Sequence, residues 1–229
     1  MSIAENIETI KSNIITAAKE CGRDPEDIQL VAVSKRFPVS AIEEAITCGH
    51  KVFGENYIQE AEEKYKTVGG KCHLHFIGHL QSNKAKIAAR IFDVIETVDS
   101  LKLAKALNRH LEPLNRTIDI LLQVNIGHDD AKSGVNPEAA EEILRELNLL
   151  SNIRVIGLMT MPPFTDDPEL ARPHFRELRL LADQLNQKDL FPQTNKVELS
   201  MGMSNDYHIA IQEGATIIRV GTAIFGHRL

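Results

Sequence analysis

Short runs rich in Val and Ile alternate along the chain with longer runs whose apolar residues recur at three and four positions, so a strand period repeatedly gives way to a helix period. The run IQLVAVSK at 28–35 predicts a first strand, and Ile42, Ala45 and Ile46 on one face predict a helix near 40–49. VFGEN (52–56) then leads into a helix through IQEAEEKYKTV, LHFIGHL (74–80) into one through NKAKIAARI, and VIETV (94–98) into LKLAKALNRHL. The second half continues in kind. IDILLQVNI (118–126) precedes a helix near 137–150 with Ile143, Leu144 and Leu147 as its apolar stripe. IRVIGLMT (153–160) precedes a helix near 169–187 with Leu178, Leu181, Ala182 and Leu185 in phase. KVELSMG (196–202) precedes a helix near 205–213, and TIIRVGTAIFG (216–226) supplies the last strand.

Eight strands, seven of them followed by a helix of ordinary length, predict an α/β protein with a single (β/α)8 barrel domain over 1–229. The alternative, an open doubly wound sheet, lacks its usual GxGxxG after the first strand. Only three residues follow AIFG, too few for an eighth helix, so the N-terminal helix, about 2–20, is expected to cover the last gap.

Composition narrows the function classes. With 43% hydrophobic and 25% charged residues and a net charge of -6, the chain reads as globular and offers no long-range attraction to nucleic acid or an anionic membrane. Polar residues interrupt every apolar run of MSIAENIETIKSNIITAAKE, unlike a secretory signal, and no segment approaches the roughly 20 apolar residues that span a bilayer. A cytoplasmic location is expected. Cys21, Cys48 and Cys72 are widely spaced without a CxxC pair, so neither disulfides nor a metal site are expected.

The candidate chemistry begins with the lysine that ends the first strand. Side chains alternate along a strand, so Lys35 shares a face with Val33 and Val31. If that face is the barrel interior, the strand ends also present Asn56, His79, Asn125, Met159, Ser200, Arg219 and Gly221, at the C-terminal face where such barrels carry their sites. LSMGMSND (199–206) and RVGTAIFG (219–226) follow strands seven and eight, where barrels bind phosphate; small residues admit backbone N–H groups, and Ser200, Ser204 and Thr222 add hydroxyls. A lysine amine opposite a phosphate cradle points to a carbonyl ligand held as a Schiff base. Two classes fit: a phosphorylated sugar, as in Schiff-base aldolases, or pyridoxal 5'-phosphate (PLP). Arg219 favours the second, since a guanidinium is costly to bury unpartnered and can donate to the pyridine nitrogen. A solvated strand-end lysine and two tight glycine turns are the plain structural alternatives.

These residues carry a resemblance. AVSKRFP, FGENYIQE, HFIGHLQSNK, GLMTM, LSMGMSNDY and IRVGTAIFG resemble the YggS/PROSC family of PLP homeostasis proteins, in the family's order and over almost the whole chain. The resemblance implies a barrel of the alanine racemase N-terminal type (PLP fold type III) with PLP on Lys35 as an internal aldimine. It places Ser200, Met203, Ser204, Gly221 and Thr222 around the phosphate, Asn56 and His79 beside the ring, and Arg219 at the ring nitrogen. For His79 a neutral histidine packed in the barrel is the alternative. Many relatives carry Thr or Tyr and then a second basic residue after the lysine; here Arg36 and Phe37 stand there, so no second-lysine role carries over. Lys132 in GHDDAKSGV matches a family loop and is either an accessory PLP site or a solvated charge.

The implied function is PLP homeostasis, by buffering or by delivery to PLP-dependent apoenzymes, with little or no turnover and no catalytic residue. The alternative is an amino acid racemase or lyase. Racemases of this fold use a C-terminal domain that forms the dimer and supplies a tyrosine, whereas Tyr57, Tyr65 and Tyr207 are the only tyrosines here. Arg219 at the ring nitrogen would also disfavour its protonation and leave the ring a weaker electron sink. Without a dimer domain, a monomer is expected.

Overall fold

In the computed structural model, which describes residues 2–127, 133–163 and 165–226, eight parallel strands pair in chain order and close into a barrel. The strands are β1 (Gln29–Val33), β2 (Val52–Glu55), β3 (His73–Phe76), β4 (Val94–Val98), β5 (Ile118–Gln123), β6 (Ile153–Met159), β7 (Glu198–Met203) and β8 (Ile217–Val220). Closure is the pairing of β8 with β1, in which Val31 stands beside Arg219. Around the barrel lie α1 (Ile3–Glu20), α2 (Val39–Thr47), α3 (Ile58–Val68), α4 (Ala85–Ile91), α5 (Leu101–Leu111), α6 (Ala140–Leu147), α7 (Arg172–Asn186), α8 (Tyr207–Gln212) and α9 (Thr222–Phe225).

The strands read as near-continuous apolar runs because a parallel sheet is covered on both faces. Every residue of β4, VIETV, is buried, its glutamate included. The helices show one stripe each. Leu103, Ala104, Leu107 and Leu111 of α5 and Phe175, Leu178, Ala182 and Leu185 of α7 face the barrel, whereas Ile143 and Leu181 are only partly buried at the edges of theirs. Most of the core fills the layer between strands and helices. A second, smaller cluster lies inside the barrel, where Val31, Val94, Leu121, Met159 and Ile217 meet with Val52 and Ile156. Val31 and Met159 thus point inward, as strand alternation predicts.

The eighth helical position is a single turn, α9, and α1 fills the space beside it. Ser2 starts α1 with a capping box closed by Glu5. Ile7, Ile10, Ile14, Ala17 and Ala18 are buried where α1 packs against α2, α8 and α9. Asn6 Nδ2 donates to the Ile224 carbonyl at 2.8 Å, and Asn13 Nδ2 donates to the Tyr207 hydroxyl at 3.2 Å. Among the described residues no helix is long and apolar enough to cross a membrane.

Ile7 is fully buried at this seam, whereas Leu149 is 76% exposed. Ile7→Ala should therefore lower the unfolding free energy by about 2–5 kcal/mol, and Leu149→Ala should change it by less than about 0.5 kcal/mol. Urea titration of both variants measures the difference.

Candidate functional site

Strand β1 ends two residues before Lys35, and the chain then turns sharply. Ser34 N–H still donates to the Gly54 carbonyl at 3.0 Å, and Phe37 N–H closes a turn onto the Ser34 carbonyl at 3.1 Å. Inside that turn Arg36 adopts a left-handed conformation with φ 63°, uncommon for a residue with a side chain. Glu60 holds it there. Its Oε1 accepts from Arg36 N–H at 2.5 Å, and the Arg36 guanidinium donates to the Tyr57 hydroxyl at 3.1 Å. Behind the turn, buried Lys64 Nζ donates to the Ser34 carbonyl at 2.8 Å, to Glu55 Oε1 at 2.7 Å and to Glu60 Oε1 at 2.6 Å. Ser34 Oγ donates to the same Glu55 oxygen at 2.7 Å. Burial pushes the Glu55 carboxyl above its ordinary value, against the pull of Lys64.

In front of the turn, Lys35 lines a cavity of about 570 Å³ at the C-terminal ends of the strands. Asn56, Met203, Ser204, Arg219, Gly221 and Thr222 line it too, so the structure brings these expected residues together. Gly202, near the end of β7 at φ 90°, lies so close to α8 that a Cβ there would come within 2.6 Å of Ala210 Cβ. Asp206 Oδ1 accepts from Met203 N–H at 2.6 Å and ties that loop down; burial raises its carboxyl. Ser204 Oγ then stands 3.4 Å from both Gly221 N and Thr222 Oγ1.

Two expected residues lie elsewhere. His79 follows the end of β3, where the chain leaves the barrel at Gly78, and Ile77 takes the cavity-facing place. Its side chain is 60% exposed, with Nδ1 3.6 Å from Asp99 Oδ2 and 3.3 Å from Ser133 Oγ. Ser200 does point inward, but it pairs level with Ile217, two residues below Arg219, and is buried beneath the residues that line the cavity. Lys132 lies outside the described residues.

The sequence reading missed what Ser200 touches. Glu96, the glutamate of VIETV, is fully buried inside the barrel, accepting from Ser200 Oγ at 2.5 Å through Oε2. Its Oε1 is 2.6 Å from His75 Nδ1. Arg219 Nη1 donates to Ser200 Oγ, and Nη2 donates to the Thr160 carbonyl at 3.0 Å. Burial alone would push Glu96 up, but the His75 contact, the Arg219 charge and the Ser200 bond together hold it below its ordinary value. Burial draws Arg219 down, opposed by Glu96 and Asp206. One acidic residue in the middle of an apolar strand was the available signal.

Residues 6–229 match the family model described as alanine racemase, N-terminal domain. The pyridoxal phosphate homeostasis protein of Aquifex aeolicus is 38% identical over 229 residues, covering 100% of this chain and 99% of its own length. That of Vibrio cholerae is 41% identical over 233 residues, covering 99% and 97%. The chain belongs to the pyridoxal phosphate homeostasis protein family. Among solved structures, PipY of Synechococcus elongatus with PLP bound superimposes at a TM-score of 0.86 and 38% identity, covering 98% of this chain and 100% of that one. Alanine racemase of Clostridium difficile 630 matches at a TM-score of 0.76 and 17% identity, covering 98% of this chain and 57% of its own. That likeness concerns the barrel fold, which is the alanine racemase N-terminal type.

The ion cluster behind Lys35 gives a direct expectation for stability. Lys64→Met strands the buried Glu55 carboxyl and should cost about 3–5 kcal/mol, whereas Lys66→Met removes only an exposed pair with Glu63 and should leave the unfolding midpoint nearly unchanged. Denaturant unfolding at pH 7 distinguishes the two.

Proposed function

We propose that this chain binds PLP covalently through Lys35 Nζ and serves intracellular PLP homeostasis, as a buffer or by delivery to PLP-dependent apoenzymes, with little or no catalytic turnover. The observation that carries the reading is the convergence of Lys35, Arg219, Ser204 and Thr222 on one cavity of about 570 Å³. That volume lies in the range of sites for small cofactors. The names of the full-length relatives support the homeostatic part, and the PLP-bound PipY supports the choice of ligand.

The residues present fit the group. Asn56 Oδ1 is buried in the cavity wall without a hydrogen-bond partner among the described residues, an acceptor that a ligand donor would satisfy. When bound, PLP supplies an aldehyde that condenses with a primary amine and a ring that accepts electron density. The chain supplies the rest. Lys35 presents the amine from a turn fixed by Glu60 and Lys64. Ser204 Oγ and Thr222 Oγ1 donate to phosphate oxygens, beside the Gly221 backbone N–H. The Arg219 guanidinium, which also lines the cavity, would donate to a ring nitrogen, which would have to be unprotonated and would leave the ring a weak electron sink.

Racemisation needs an acid-base group on each face of the substrate carbon. Lys35 is one such group. No tyrosine lines the described cavity: Tyr57 is engaged by Arg36, and Tyr207 is buried against Asn13. The carboxylate of Asp206 is occupied in holding the Met203 loop. We place the protein in the cytoplasm as a monomer.

Lys35→Ala should abolish covalent PLP while changing stability by less than about 1 kcal/mol, as expected for a side chain outside the core. Borohydride reduction and peptide mapping check the first point, with the label expected in the Lys35 peptide; a label on another lysine would overturn the assignment. Holo protein incubated with L-alanine in deuterium oxide should show at most slow Cα exchange without inversion. Formation of the D-enantiomer at about 1 s⁻¹ or faster, the low end of ordinary enzymes, would replace the carrier with a racemase.

A further inference from the structure

The polar groups inside the barrel form a chain with a direction. Ser200 has one hydroxyl hydrogen, and it is spent on Glu96 Oε2 at 2.5 Å. The lone pairs of the same oxygen are what Arg219 Nη1 donates to. That polarity holds only while Glu96 presents an acceptor; a donor in its place would compete with the hydroxyl hydrogen and turn it toward the guanidinium. His75 Nδ1, 2.6 Å from Glu96 Oε1, fixes the other carboxyl oxygen. All four side chains are buried, so water cannot substitute for a lost partner at little cost. Arg219, held in this way, lines the cavity together with Lys35 and Thr222.

We propose that Glu96, anchored by His75 and acting through Ser200, is the positioning residue that aims Arg219 at the ring-nitrogen end of the cavity, and so sets the preference for ligands with an acceptor nitrogen there. The inference rests on the PLP reading of the site. The groups that touch the ligand are Lys35, Arg219 and the phosphate hydroxyls; Glu96 and Ser200 act at one remove.

The test compares two probes on the full chain: PLP, and the analogue of PLP in which CH replaces the ring nitrogen. Dissociation constants are measured by fluorescence titration for wild type, Glu96→Gln and Ser200→Ala, after circular dichroism has established that each variant is folded. Wild type should prefer PLP by about tenfold or more, the size of one hydrogen bond to a charged donor. Both variants should bring that preference to within about twofold while binding the carbocyclic analogue as wild type does. A merely structural role would weaken both probes alike and leave their ratio unchanged, which would overturn the inference. Ser200→Ala, which removes a single oxygen, decides the matter if Glu96→Gln does not fold. Should wild type bind PLP without preferring it over the analogue, the Arg219 contact and this inference fall together while covalent binding at Lys35 stands. Binding of neither probe would instead remove the PLP reading itself.

Discussion

A carboxylate and a guanidinium share the interior of this barrel, and neither could be there alone. Removing an ion from water costs several kcal/mol even after relaxation, so Glu96 and Arg219 demand partners at fixed positions. Ser200 bridges them, His75 takes the remaining side of the carboxylate, and the Thr160 carbonyl accepts from the second terminal nitrogen of the guanidinium. The partners come from β3, β4, β7, β8 and the end of β6, so the requirement spans more than half of the barrel. Beside this polar group the interior is closed by Val31, Val94, Leu121, Met159 and Ile217, which need only shape. The apolar cluster fills the barrel; the polar one also fixes where the Arg219 guanidinium stands.

The turn that presents Lys35 solves a related problem. A left-handed Arg36 carries a cost that no local sequence preference offsets, and the offset comes from residues on β2 and α3. Glu60 satisfies the strained N–H, while Lys64 binds Ser34 and Glu55 together beneath it. Lys35 therefore stands on a turn whose supporting hydrogen bonds come from β2 and α3.

Much of this was legible in the residues. Periodicity located every strand, and for VIETV, IQEAEEKYKTV and LKLAKALNRHL the predicted runs coincide with the elements. Strand alternation also placed Val31, Met159, Ser200 and Arg219 on the inner face. It could not say how far up the barrel each one sits, because that depends on pairing with the neighbouring strand. Pairing of β7 with β8 sets Ser200 level with Ile217, two residues below Arg219. For His79 alternation fails once β3 ends at Phe76, since beyond Gly78 the chain no longer follows the sheet. Glu96 was visible as an odd letter in an apolar word, but its partners lie 21 and 104 residues away, beyond any local pattern.

The seam between α1 and the end of the barrel bears on how the molecule is made. Helix α1 leaves the ribosome well before the end of the barrel and has an apolar face of Ile7, Ile10 and Ile14 whose docking ground includes residues 207–225. At ordinary elongation rates of about 5–20 residues per second, that face waits on the order of ten seconds or more for its partner to be synthesised. Helix α2 can cover part of that stripe early, but the part that meets α8 and α9 stays open to chaperones and neighbouring chains until the end of the barrel is made. Those isoleucines therefore bear on how cleanly the chain is produced as well as on the strength of the finished fold.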